Sequence, residues 1–262
     1  MKSECESILK KLTGKKHVFF VRRGNAAILA SLKFARDKSF DKVLIQDQGG
    51  WITYPQFVLK LKMQEVRLKT DYGLLSQVDE KDAVLLLNSM PGYHALQDLD
   101  FLKSLSENSN LFVINDVSGS VGTGQAMIGD MIIGSFGKWK PLDLEEGGFV
   151  ACDYDVSFDF FREFEVEFDF EKLHQKLLDL KEKLLFFDMI HNKIVHDLSD
   201  YDVVHKDAVG INVIVKFSSE AEKEKLIKYC NENNYEFVEC PRYIRILEQA
   251  ISIEVKRLNI VR

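Results

Sequence analysis

The sequence predicts an α/β protein: a mostly parallel sheet flanked by helices, followed by a small C-terminal α/β unit. Three observations lead there. In the first half of the chain, short apolar segments rich in Val, Ile and Leu alternate with stretches of helical periodicity. Those apolar segments run nearly unbroken, as strands covered on both faces do. Beyond an expected linker near 199–208 the alternation starts afresh on a smaller scale. A chain of 262 residues accommodates one large domain and one small one. The boundaries expected are 1–198 and 199–262.

Taken in order, "HVFFV" (17–21) reads as a strand and "GNAAILASLKFARD" (24–37) as a helix. "KVLIQD" (42–47) is a strand, "YPQFVLKLKMQ" a helix, and "QEVRLKT" (64–70) and "AVLLLNSM" (83–90) are strands. "LQDLDFLKSLSEN" (96–108) is helical, and "LFVIND" (111–116), "MIIGSF" (131–136) and "GGFVAC" (147–152) are strands. From Tyr154 to Phe170 aromatic and apolar residues occupy even positions with acids between them, which predicts an edge strand or an extended arm. A long helix near 171–198 carries the stripe Leu173, Leu177, Leu180, Leu184 and Phe187. The C-terminal unit reads as strand "GINVIVKF", helix 219–233, strand "YEFVEC" and strand "ISIEVKRL". Ser219 with Glu222 three residues on forms a capping box for that helix.

Acids outnumber bases 41 to 35, for a net charge of −6, which argues against a nucleic-acid surface. The four cysteines stand apart, with no zinc spacing, and no metal site is expected. Unpaired cysteines fit a reducing compartment. The N-terminus has charges throughout and no apolar core of a signal peptide, and no apolar run approaches a membrane span. The expectation is a soluble, cytoplasmic protein.

Three stretches carry residues suited to chemistry. At Gly24-Asn25-Ala26 a strand gives way to a helix, with Asn25 as the expected N-cap. Such a helix start suits a phosphate, and Arg22 and Arg23 add charge. Asp116 ends an apolar strand, where open α/β sheets bind ligands, or it caps the turn that follows. "SFGKWKPLDLEEGG" (135–148) places Ser135 after a strand and two lysines, Lys138 and Lys140, beyond it. Either is a solvated charge or an amine able to form an imine. "GTGQAMIGD" (122–130) lacks the spacing of a dinucleotide-binding turn.

In this order the three stretches resemble fold-type I pyridoxal-phosphate enzymes, and more narrowly the DegT/StrS family of sugar aminotransferases. The family's lysine segment, Ser-Phe, three residues, Lys, then Gly-Glu-Gly-Gly, is matched by Ser135-Phe136, Lys140 and Glu145-Glu146-Gly147-Gly148. Gly24-Asn25-Ala26-Ala27 is similar to the family's phosphate turn, and Trp51 falls where it places a ring-stacking aromatic. The resemblance implies pyridoxal 5'-phosphate as cofactor, held by Gly24, Asn25, Ala26 and Ser135. It further implies that Asp116 holds the pyridine nitrogen and that Lys140 forms an internal aldimine and shuttles protons. An aminotransferase-type enzyme for a small-molecule amine or keto substrate, acting as a homodimer, is implied in turn. Arg242 and Arg245 are candidate partners for a substrate carboxylate. Departures stand out: Gly119 replaces the family's Gln or His three residues after the Asp, Glu145 replaces a Gly, and Pro141 follows the lysine. The family's Gly-x-Asn-x-Arg segment is not found. Two alternatives therefore accompany the main expectation: a repurposed, non-catalytic dimer acting in binding or as a scaffold, and a pyridoxal-phosphate lyase or sulfur-transfer enzyme.

Overall fold

Seven strands form the larger sheet of this computed structural model, in the order β1-β7-β6-β5-β4-β2-β3. The structure describes residues 1–107, 110–155, 164 and 168–259. Strands β1 (His17–Val21), β2 (Lys42–Gln46), β3 (Gln64–Leu68), β4 (Ala83–Asn88), β5 (Leu111–Asp116), β6 (Met131–Ser135) and β7 (Gly148–Cys152) make up this sheet. The β3-β2-β4-β5-β6 run is parallel, and β7 lies antiparallel between β6 and β1. The antiparallel β7 therefore begins at the edge where the parallel strands end, so the loops after β1, β4, β5 and β6 converge with the start of β7. Ligands of open α/β sheets bind at such an edge.

Both faces of the sheet are covered, which explains the unbroken apolar strands. The pleat sends Met131 and Ile133 to one face and Ile132 to the other. Helices α2 (Gly24–Asp37) and α3 (Thr53–Lys60) pack on the first face, through Ala27, Ala30 and Val58 among others. Helices α1 (Lys2–Thr13) and α5 (Phe170–Asp197) cover the second, burying Cys5, Leu9, Leu173, Leu177 and Leu180. Helix α4 (Leu99–Glu107) packs beside β5 with Leu102 and Leu105 buried. All four cysteines are buried and free. No helix among the described residues is long and apolar enough to cross a membrane.

A second, smaller sheet is antiparallel throughout, in the order β10-β11-β9-β8. It comprises β8 (Asp202–Val203), β9 (Val213–Lys216), β10 (Phe237–Cys240) and β11 (Ala250–Ile253), with α6 (Glu220–Glu232) against it. Leu226 and Cys230 of α6 and Phe187 and Ile194 of α5 share its core. Ser219 caps α6, its hydroxyl accepting from the Glu222 N–H, while the Glu222 carboxylate takes the N–H and hydroxyl of Ser218.

Four readings of local structure need correction. The stretch expected as a linker contributes β8 to the small sheet. The last strand stops at Ile253; Val255–Arg257 is a 3-10 turn, which turns Lys256 into the interior instead of along a sheet. Asn25 is not the N-cap of α2: the helix begins at Gly24 and extended Arg23 precedes it. The even-numbered aromatics do not share one face, since Phe164 joins the α2 side while Phe168 and Phe170 pack on Phe20 on the other, and Phe170 already belongs to α5. The remaining positions of that expected arm, 156–163 and 165–167, lie outside the described residues.

Candidate functional site

A cavity of about 410 Å³ opens where the strand-end loops converge, within the size range of small-ligand sites. Its floor is Asp116, the last residue of β5, 6% exposed. One carboxylate oxygen accepts from the Tyr54 hydroxyl at 2.6 Å and the other from the Ser118 N–H at 2.9 Å. Burial, with Asp116 beside it, pushes the Tyr54 hydroxyl well above the usual phenol range, so it remains a donor. These two donors fix the Asp116 side chain and leave it acceptor capacity toward the cavity.

Beside Asp116, the hydroxyl of Ser118 accepts the Ser135 N–H at 2.9 Å, and the Ser135 hydroxyl accepts the Gly137 N–H at 3.1 Å. The start of α2 closes on this strand end. A Cβ at Gly24 would stand 2.6 Å from the Ser135 Cβ, so only glycine permits the approach. The first N–H groups of a helix lack intrahelical partners. Here that end, with Gly24, Asn25 and Arg23, lines the cavity beside the Ser135 hydroxyl. Asn25 braces rather than caps: its side-chain oxygen accepts from the Trp51 indole at 2.9 Å and from the Thr53 hydroxyl at 3.2 Å, which fixes Trp51 in the cavity wall.

Lys140 sits on the loop between β6 and β7, which Phe136, Leu142 and Leu144 anchor in the core. Trp139 adopts φ 62°, a left-handed conformation costly for a bulky residue. Its N–H bonds the Asp143 carboxylate and its exposed ring lies 4.1 Å from the Arg257 guanidinium. The neighbouring Lys140 points inward and is 8% exposed. Its amine bonds the Tyr93 hydroxyl and lies 4.4 Å from the Tyr93 ring and 5.1 Å from the Trp51 ring. Among the described residues no carboxylate lies within ion-pair distance of it. Lys138 also lines the cavity but is exposed, its amine over the Trp139 ring. Glu145 adopts φ 66°, which accounts for the glycine the resemblance leads one to expect there.

The far wall comes from the C-terminal unit. Buried Glu254 accepts from Arg245 through Nε at 2.9 Å and Nη2 at 2.7 Å, from Ser252 and Asn212, and from Lys256. Burial raises the Glu254 carboxyl, but Lys256 and Arg245 outweigh it and hold the group well below the usual carboxylate range. Burial, reinforced by Arg245, drives the Lys256 ammonium far down, with Glu254 opposing.

Of the residues singled out in the sequence, Gly24, Asn25, Trp51, Asp116, Ser135 and Lys140 line this one cavity. Ala26 is buried two residues beyond the helix start and is not among the lining residues. Arg245 lines the cavity, but its guanidinium is committed to Glu254. Arg242 does not line it; it is exposed, with Nε on the Glu239 carbonyl. Sequence reading did not single out Tyr54, Tyr93 or the Glu254–Lys256 pair. The only local signal was Pro91-Gly92, a turn that aims Tyr93.

Solved structures share this architecture over nearly the whole chain. A 3-amino-5-hydroxybenzoic acid synthase superposes with TM-score 0.72 at 14% identity, covering 97% of this chain and 85% of that one. A DegT DnrJ EryC1 StrS aminotransferase from Brucella abortus gives 0.71 at 14% identity, covering 97% and 84%. A GDP-4-keto-6-deoxy-D-mannose-3-dehydratase of E coli with bound hydrated PLP gives 0.74 at 11% identity, covering 98% and 88%. At these identities the likeness is one of fold, and the fold is that of fold-type I pyridoxal-phosphate-dependent transferases. A family model described as the MJ1341 family C-terminal domain matches residues 174–262. No curated protein matches the sequence.

Proposed function

We propose that the chain is a pyridoxal-phosphate-dependent enzyme of aminotransferase type, with Lys140 as the cofactor-bearing lysine and Asp116 as the partner of the ring nitrogen. The observation that carries this reading is a buried amine and a buried carboxylate facing one cavity beside an open helix start. The residues present fit the group. The α2 start, the Ser135 hydroxyl and Arg23 suit a phosphate, Asp116 suits a protonated pyridine nitrogen, and Trp51 offers a flat wall. When bound, pyridoxal phosphate supplies a carbonyl that condenses with amines and a ring that accepts electrons.

The chain's own residues have the remaining work. Tyr54 and the Ser118 N–H hold the Asp116 side chain in place. Asn25 keeps the Trp51 ring upright against the cavity. Lys140, once its amine is released, is placed to take and return a proton as general base and acid. The proposal includes a small amine donor and keto acceptor, a homodimer, as the fold resemblance implies, and a division of the chain into units 1–198 and 199–262.

The test is spectroscopic and chemical. Added pyridoxal phosphate is expected to give a visible absorption band, and borohydride reduction to fix the label on the peptide bearing Lys140. Lys140→Ala abolishes both. No binding and no adduct, or an adduct on Lys256 instead, overturns the assignment. Failure to bind at all favours the repurposed dimer. A bound cofactor without half-transamination across a panel of amino acids favours a lyase or sulfur-transfer reaction. Light scattering tests the dimer.

A further inference from the structure

Tyr93 is held more firmly than packing requires. It adopts φ 67° in the Pro91–Tyr93 turn, and its N–H bonds the Met90 carbonyl at 3.0 Å. Its own carbonyl accepts two N–H groups from the C-terminal unit, those of Ile211 and Asn212, each at 2.8 Å. Its ring fills the space over Gly119, where a Cβ would stand 2.8 Å from Cδ1. That is the position at which the resemblance leads one to expect Gln or His. Three cations crowd the ring: Lys256 at 4.3 Å, Lys140 at 4.4 Å and Arg245 at 5.3 Å. Glu254 neutralises the charge of Lys256 and Arg245 in part, whereas the polar partner of the Lys140 amine is the Tyr93 hydroxyl.

The geometry points to Tyr93 as the positioning residue of Lys140, a role that deepens and rests on the reading of Lys140 as the reactive lysine. A phenol hydroxyl is both donor and acceptor. It accepts a hydrogen bond from the ammonium and donates one to the neutral amine. Tyr93 can therefore hold the Nζ in place in both protonation states, between two further cations. Because its backbone is laced to Ile211 and Asn212, and the Lys256 N–H in turn bonds the Ile211 carbonyl at 2.8 Å, Tyr93 also ties Lys140 to the C-terminal unit.

The test needs no cofactor. The full chain is labelled with a small amine-acylating reagent across a pH series, and the extent at Lys140 is read by peptide mass spectrometry. The exposed Lys60 serves as internal standard. Tyr93→Phe keeps the ring and removes the hydroxyl, so the ammonium loses a charge-assisted acceptor while its cationic neighbours remain. Labelling of Lys140 is expected to rise several-fold at neutral pH relative to the label on Lys60. Gly119→Ala, which pushes the ring aside but keeps the phenol, is expected to move it the same way. Unchanged Lys140 profiles in whichever of the two variants fold overturn the inference, as does an equal shift at Lys60. Failure of pyridoxal phosphate to label the wild-type chain bears on the proposed function alone, since the acylation profile is read without it.

Discussion

Glu254→Gln is the sharpest perturbation of the cavity's far wall. The change is isosteric, so it leaves no hole; it removes one charge. Wild-type Glu254 sits at 0% side-chain exposure between Arg245 at 5% and Lys256 at 3%. Removing one member of a buried ion cluster leaves its partners uncompensated, a loss of about 3–5 kcal/mol. With a urea slope of roughly 3 kcal/mol per molar for a chain of this size, the midpoint falls by about 1–1.7 M. Lys256→Met in the variant background, which removes one stranded cation, should recover roughly half of it. The pH dependence has a definite sign. Glu254 has a lowered pKa in the folded chain, so its contribution is complete above the unfolded value near 4.3 and fades as pH falls below it. Wild type and variant should converge in acid. Urea titrations at pH 7 and in the acid range read both effects. A midpoint difference below about 0.3 M at pH 7, or one that persists undiminished in acid, refutes the reasoning.

Three further outcomes follow from single residues. Glu145→Gly relieves a φ of 66° while the exposed side chain is lost, and should raise stability by up to about 1 kcal/mol, read as a higher Tm. Gly24→Ala sets a Cβ 2.6 Å from that of Ser135 and must part α2 from the strand end; a loss of about 1–3 kcal/mol and at least tenfold weaker pyridoxal-phosphate binding are expected, the second by spectral titration. Burial, aided by His205 and Arg245, drives the His94 imidazole down to about 3. The unfolded chain then binds a proton the native one refuses, so stability declines as pH falls from about 6.5, by roughly 2 kcal/mol at pH 5. His94→Leu should flatten that decline in urea midpoints compared between pH 7 and 5.

The sheet was legible because its strands are apolar on both faces and its helices keep their period. Asp116 was legible for the same reason, as an acid closing an apolar strand. The choice between Lys138 and Lys140 was not, from composition. What separates them is the left-handed Trp139 and the buried Phe136, Leu142 and Leu144, which turn the second lysine inward and leave the first outside. Tyr93 and Tyr54 reach Lys140 and Asp116 across 47 and 62 positions, and such pairs leave no local trace. Lys256 was hidden differently: its segment alternates like a strand, yet the chain leaves the sheet at Ile253 and the 3-10 turn buries its amine.

Three of the cavity's lining residues, Tyr93, Trp139 and Glu145, hold left-handed backbone without being glycine. Each conformation costs of order 1 kcal/mol. Two of the three bear on the same amine: Trp139 turns Lys140 inward, and Tyr93 meets it there with a hydroxyl. Lys140 itself is buried with no carboxylate partner among the described residues, a further cost. A fold selected for stability alone would relax these features first, since Glu145→Gly or an exposed lysine is one substitution away. That expense concentrated around a single nitrogen atom is what supports reading Lys140 as a reagent rather than a surface charge. The borohydride adduct, on that one side chain and no other, is the measurement on which the reading stands.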